Sequence, residues 1–494
     1  FFAGNAVSTF EDFLFEGLKL SLSRLHRATP RFSRHILRKL LFEKNYPSFE
    51  DRKHYSGLPF ELQRAILQLK KNGLNPSKAS ALFKRFLNHE LEDFLKIFSD
   101  YQNLLESLDT SDEGDCVSKT LNLLHENKYC FPPSLNAIFC DRLFPLSLGH
   151  REVFREMLNR YPEKKWIVAT SFDYKSDDDP HLYPAFGFMG ELATQTKYFE
   201  PRGLLPQTEL TSFPQAAMEA DWIADEISSE LKRGVSPDAI FVILPPFSFT
   251  HQRLTQILSA RGIPCFNPYR PTLYESLASS QIPMERLIKT FRGGNQGILA
   301  DTLGASSEME SFMEEWKFDT DRLFSDNIPL ESMQGWITEE LKQVRVSRVK
   351  GGGGVFLSSL AGSLSLDATR LIVAGFTDRN YPGLSGEHPF FTNEMLERPE
   401  LREILVSPFY RFSVEKNILS QILRRTKERV TLTYPRMDWD GGDLFVSRLL
   451  GSEIPAETRK AQSQTINSSS LSQKSRFPRL QKKHYGITEL EDYL

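Results

Sequence analysis

Residues 216–245 read AAMEADWIADEISSELKRGVSPDAIFVILP, and their hydrophobic period changes midway. As far as Gly234 the apolar residues recur three and four apart, which predicts one buried face of a helix. AIFVILP then runs apolar without a break and predicts a buried strand. A second helix, THQRLTQILSARG, and an edge strand, IPCFNP, follow. This alternation repeats along the chain. GVFLSSLAG, TRLIVAGF and RVTLTYP are β-rich, with the helix FSVEKNILSQILRRTKE between the last two. Farther upstream LNAIFC, a helix from His150 to Arg160, and KKWIVAT predict a βαβ unit with a parallel sheet. The fold class is therefore α/β, with two sheets that helical material interrupts.

That material lies in two places. FEDFLFEGLKLSLSRLHR, FSRHILRKLLFEK, LPFELQRAILQLKKNG and HELEDFLKIFSDYQNLLESL each carry helical periodicity, with Gly73 and Pro76 punctuating the series. A second helical stretch covers about 277–340. KGGGG at 350–354 reads as a flexible join, the acidic runs SDEGD and SDDDP as a turn and a solvated loop, and the Ser- and Gln-rich stretch 456–484 as a linker.

The chain has 494 residues, enough for two to four cores. Its 61 Lys and Arg nearly balance 64 Asp and Glu, so a nucleic-acid surface has to come from local segregation of charge. Cys116, Cys130, Cys140 and Cys265 form no CxxC pair, which argues against a zinc site and a disulfide framework and for thiols in a reducing compartment. No apolar run approaches the roughly 20 residues that cross a bilayer. A cytoplasmic protein without membrane contact is expected. The opening FFAGNAVSTF lacks an initiator Met, and GITELEDYL stops within an amphipathic pattern, so the sequence reads as an internal piece of a longer protein.

Four features bear on chemistry. Asp141 ends the strand of IFCDRLF, where a carboxylate either holds magnesium on nucleotide phosphates or caps a turn; the next residue, Arg142, cannot orient an attacking water. No GxxxxGK[ST] cradle occurs in the sequence. Arg424, Arg425, Lys427 and Arg429 in ILRRTKERVTLTYP either present a cation to a phosphoryl group or form a solvated helix end. Residues 17–42 hold Lys19, Arg24, Arg27, Arg31, Arg34, Arg38 and Lys39 and no acid. They either track a phosphate backbone, with Phe32 and His26 for stacking, or form a polar helix face.

Taken in order, these segments resemble a known plan. VSTFEDF is similar to the "TF" motif of UvrD-like superfamily 1 helicases, and IFCDRLFPLSLGHREVFREML to their motif II region. FPQAAMEADWIADEISSELKRGVSPDAIFVIL, with Glu219, followed by LTQILSARGIPC, resembles the opening of the second motor domain. LSLDATRLIVAGFTDRNYP resembles motif V and VEKNILSQILRRTKERVTLTYP motif VI; ITELEDYL resembles the first helix of a PD-(D/E)XK nuclease. The whole order resembles the AddB/RexB-type subunit of bacterial helicase-nuclease complexes.

The resemblance implies two RecA-like domains, at 1–200 with a helical insertion about 17–110 and at 201–455 with one about 277–340, then a nuclease starting at 485–494. It implies single- or double-stranded DNA and an A-type helicase-nuclease subunit as partners, in double-strand-break repair. It places Asp141 and Arg425 at a nucleotide site and Thr9 and Phe10 at single-stranded DNA, and Arg31, Arg34 and Arg38 of the acid-free run are expected to add DNA contacts. Three departures imply a motor that no longer hydrolyses ATP: Arg142 replaces the motif II Glu, Gly362 and Ser363 the motif V Arg-Gly, and Thr426 the alanine of "TRA". No cofactor is expected within these residues, and ATP with magnesium is left to the alternative in which the motor is active. No catalytic residue and no metal ligand are expected within these residues, since an iron-sulfur cluster belongs to the downstream nuclease. The alternatives are an active helicase whose Walker segment lies upstream, and a docking platform for the partner that does not bind DNA.

Overall fold

A computed structural model of the chain describes residues 9–22, 25–131, 137–141, 146–169, 206–245, 248–266, 272–274, 306–324, 330–344, 353–363, 368–383, 388–398, 400–401, 403–405, 407–438 and 441–449. Its contacts form two compact units. Unit 1 is Phe1–Thr194, Arg270–Ser347 and Glu387–Ser407; unit 2 is Gln195–Tyr269, Arg348–Gly386 and Pro408–Leu494. The expected linker 456–484, the nuclease start 485–494 and SDDDP lie outside the described residues.

Unit 1 opens with α1 (Phe10–Ser21), β1 (His26–Arg27), α2 (Pro30–Glu43), α3 (Leu58–Lys71), α4 (Pro76–Phe83), α5 (His89–Ser107), β2 (Thr110–Ser111) and α6 (Glu113–His125). Local chemistry starts several of these helices. Thr29, Asn75 and Asn88 each accept a first-turn amide hydrogen, and Pro30 and Pro76 sit where an amide has no helical partner anyway. α1 stops short of the expected Arg27, because His26 and Arg27 pair in parallel with Thr110 and Ser111. SDEGD is more than a turn: Asp112 and Asp115 form a reciprocal capping box that launches α6. Apolar stripes of α2, α3 and α5 meet in one core around Ile36, Leu62, Ile66, Phe94 and Phe98. Next come β3 (Ala137–Asp141), α7 (Leu148–Arg160) and β4 (Lys165–Ala169), and the two strands pair in parallel, as the βαβ reading expects.

Unit 2 begins with β5 (Gln207–Gln215), α8 (Ala216–Lys232), β6 (Ile240–Ile243), α9 (Phe249–Ala260) and the two-residue β7 (Cys265–Phe266). The chain then adds α10 (Ser306–Leu323) and α11 (Leu330–Leu341) to unit 1. The described helices of the stretch expected as an insertion of the second domain, α10 and α11, thus belong to unit 1. β8 (Val355–Ser358) and β9 (Arg370–Val373) belong to unit 2, α12 (Asn393–Glu397) to unit 1, and α13 (Pro408–Arg425) and β10 (Arg429–Met437) complete unit 2.

The unit 2 sheet has six parallel strands in the order β5-β10-β9-β6-β8-β7. The strand period of two sorts its side chains to opposite faces. Ile240 and Val242 of β6 and Ile372 of β9 pack with Ile223 and Ile227 of α8 and Leu254 and Leu258 of α9. Phe241, Ile243, Leu371, Val373, Val430 and Leu432 share the other core with Leu419, Ile422 and Leu423 of α13. Helices therefore cover both faces. β7 is an edge strand, as IPCFNP predicts.

The glycine tract departs from the flexible join expected of it, as far as it is described. Gly354 holds φ at +153°, a Cβ there would run into the Pro264 carbonyl oxygen, and its amide donates to Asp238. Gly354 serves the close approach of β8 to β7, and freedom of motion is not its purpose. Among the described residues no helix is long and apolar enough to cross a membrane.

Candidate functional site

The carboxyl end of a parallel α/β sheet is where strand-to-helix loops gather and where such folds meet their ligands. In unit 2 this end is organised around Glu219, in the first turn of α8 just beyond β5. The side chain is fully buried. Its Oε1 accepts the Gly375 amide hydrogen at 2.8 Å and the Thr433 hydroxyl at 2.7 Å, and its Oε2 accepts the Thr250 hydroxyl at 3.3 Å. One carboxylate thus joins α8, the loop leaving β9, the middle of β10 and the amino end of α9. Burial pushes the Glu219 carboxyl up to about 7, opposed by these three hydrogen bonds, which favour the ionised form. The charged or titratable residues nearest in sequence to these contacts on the surrounding elements are Asp221 on α8, His251 and Arg253 on α9, Asp378, Arg379 and Tyr381 on the loop, and Tyr434 and Arg436 on β10; Asp225, Glu226, Glu230 and Lys232 lie farther along α8, and Arg429 at the start of β10.

Backbone geometry builds the site. Gly375 has φ +61°, the left-handed region where a side chain is strained, and this turns its amide toward Glu219. Asn380 Nδ2 then donates to the Gly375 carbonyl at 2.9 Å. The loop closes on the return after β10: the Asp378 amide donates to the Phe445 carbonyl at 3.0 Å and the Ser447 amide to that of Phe376 at 3.1 Å. Arg379, paired with Asp438, is 66% exposed on this loop, and Phe445 is 54% exposed. The sequence carries a signal for this site. RVTLTYP alternates Thr with apolar residues in a strand flanked on both sides, and those threonines serve buried charges: Thr433 meets Glu219, and Thr431 accepts from Arg370 at 3.0 Å.

The expected site residues are distributed differently. Asp141 ends β3, in register with Ala169 of β4, while Arg142 lies outside the described residues. Arg425 is the last residue of α13, partly buried, and belongs to unit 2 whereas Asp141 belongs to unit 1. Thr426 is buried and donates its hydroxyl back to the Ile422 carbonyl at 3.0 Å. Thr9 is the N-cap of α1, its hydroxyl accepting the Asp12 amide hydrogen at 3.1 Å. Phe10 packs edge-on against His150 at 5.4 Å and Phe154 at 6.4 Å. Burial brings His150 down to about 4, against the pull of Glu11, so this ring is neutral.

Arg31, Arg34 and Arg38 differ most from expectation. They lie on one face of α2, and that face points inward. Arg31 pairs with Asp319 at 3.0 Å and with Glu315 of α10; Arg34 and Arg38 share Glu340 of α11, with Arg34 Nε at 2.8 Å and Arg38 Nη1 at 3.0 Å. Arg38 is 1% exposed, and burial lowers it to about 10 against the pull of Glu340. These guanidiniums face carboxylates where the DNA reading needs them to face phosphates. The acid-free run at 17–42 misled because its acids come from helices roughly 300 residues later.

Elsewhere in unit 1 a cavity of about 460 Å³ has Arg27, Gln63, Arg64 and Asp112 in its wall. Each already has a partner, in Asp12, the Pro30 carbonyl, Glu61 and Lys70 respectively. Among the described residues no cluster of histidine, cysteine and carboxylate is arranged to hold a metal. Compared with known protein families and with curated proteins, the chain matches none.

Proposed function

We propose that this chain is the DNA-binding, helicase-like part of a bacterial double-strand-break repair helicase-nuclease subunit, built on RecA-like domains, and that it guides DNA without hydrolysing ATP. One observation carries the reading. The segment resembling motif V runs along β9 into the Glu219-bound loop, the segment resembling motif VI runs through α13 into β10, and β9 and β10 are paired neighbours. Arg425 stands at the amino end of β10 and the 374–383 loop at the carboxyl end of β9, so the two segments meet along the paired strands themselves. Their adjacency across some 60 residues of sequence supports the resemblance more than either motif alone.

Hydrolysis requires a phosphate cradle and a residue that orients water. Arg142 follows Asp141 where a Glu is needed, and this supports a guiding role. Titration of the full-length protein with single-stranded DNA at several salt concentrations tests it, because each neutralised phosphate releases counterions and steepens the fall of affinity with salt. Binding with a steep salt slope is expected; affinity that does not depend on salt, or no affinity, contradicts the reading.

The burial of Arg31, Arg34 and Arg38 favours a second reading, a docking platform for an A-type subunit. Stable pairing with that subunit and no DNA affinity would select it.

A further inference from the structure

Glu219 is an expensive way to fill a core position. A buried carboxylate without a cation costs more than an apolar side chain of similar volume unless its oxygens are fully hydrogen-bonded. Unit 2 meets that demand from three separate elements. Thr433 and Thr250 each turn a hydroxyl to the carboxylate, and Gly375 adopts a backbone conformation that other residues avoid. A Cβ at Gly375 would lie 3.0 Å from Pro245 Cγ and 3.2 Å from Asn380 Nδ2, so the loop fits closely around this arrangement.

We propose that Glu219 is a positioning residue for the carboxyl edge of the unit 2 sheet. Its carboxylate holds loop 374–383 and the amino end of α9 in one arrangement, and through that loop it fixes where Arg379 is displayed. Backbone bonds from Asp378 to Phe445 and from Ser447 to Phe376 carry the same order into the 441–449 return. That this edge meets a nucleic acid rests on the function proposed above; that Glu219 orders the edge does not.

Hydrogen exchange on the full chain separates the two claims. In Glu219→Ala, peptides covering 374–383 and 248–254 are expected to exchange about tenfold faster or more, the factor expected on losing hydrogen bonds to a charged group. Peptides from β6 and α13 keep their protection. Glu219→Gln, whose carbonyl oxygen still accepts from Gly375 and Thr433, restores slow exchange. Wild-type exchange in Glu219→Ala, or a Gln variant as fast as the Ala variant, overturns the proposal. If Glu219→Ala loses protection throughout the sheet, Thr433→Val decides: faster exchange confined to 374–383 supports the latch, and unchanged exchange overturns it. Titration of the same variants with a labelled single-stranded oligonucleotide then tests the function. Weaker binding by the Ala variant, rescued by Gln, supports nucleic acid at this edge; equal binding by all three removes it from this edge and leaves the exchange result intact.

Discussion

Across the interior of unit 1, three guanidiniums of α2 face three carboxylates of α10 and α11; at the carboxyl edge of unit 2, one carboxylate faces two hydroxyls and an amide. Both arrangements bury charge between distant parts of the chain, but they respond to different perturbations. In the arginine network each charge is neutralised by its opposite, so the damage comes from removing one partner and stranding the other. At Glu219 the partners among the described residues are two hydroxyls and an amide, none of them a cation, so protonation itself relieves the cost and the site responds to pH. The first arrangement is suited to fixing helices permanently. The second is suited to an edge whose order depends on a single residue.

The largest effect is expected in unit 1. Glu340→Ala strands both Arg34 and Arg38 and should cost about 3–5 kcal/mol, read as a lowered denaturant midpoint for helical signal. Replacing Arg34, Arg38 and Glu340 together with apolar residues should recover much of that loss; failure to recover would show that the network contributes more than mutual neutralisation.

Next comes pH. Below about 4.5 the Glu219 carboxyl is protonated in both folded and unfolded chains, and above about 7 it is ionised in both. Between these values only the folded chain holds the proton, so stability falls as pH rises, by on the order of 3 kcal/mol over the window. Glu219→Gln should remove this slope from the unfolding of unit 2 and leave the remaining pH dependence in place. An identical slope in the variant would remove Glu219 as its source.

A smaller effect is expected at Gly375. Gly375→Ala forces a left-handed residue against Pro245 and should cost about 1–2 kcal/mol, with the change in hydrogen exchange centred on 374–383. At Thr9, the Ala variant loses only a helix cap. A cost of about 1 kcal/mol in α1 with unchanged DNA affinity separates a capping role from the nucleic-acid contact that the "TF" resemblance implies.

The regular elements with strong periodicity were legible: α8, β6 and α9, the β8–β9–β10 series and α3 and α5 all lie where their patterns predict. β5 was not. QTELTSFPQ mixes Thr, Gln and Pro because, among the described strands, it lies at the edge of the sheet, where a proline is tolerated. The inward turn of α2 was also invisible, since a buried arginine looks like a solvated one until its acid is found. Glu219 stands out in the sequence only through a resemblance. Its burial follows from the pairing of β9 with β10 and the crossing of α8, which no local window contains.

The account turns on whether this α/β architecture guides DNA without hydrolysing ATP. DNA-stimulated ATP turnover by the full-length protein, compared with its Asp141→Ala variant, tests that most directly. No turnover attributable to this subunit and no change on substitution are expected; turnover that Asp141→Ala abolishes would contradict the guiding role.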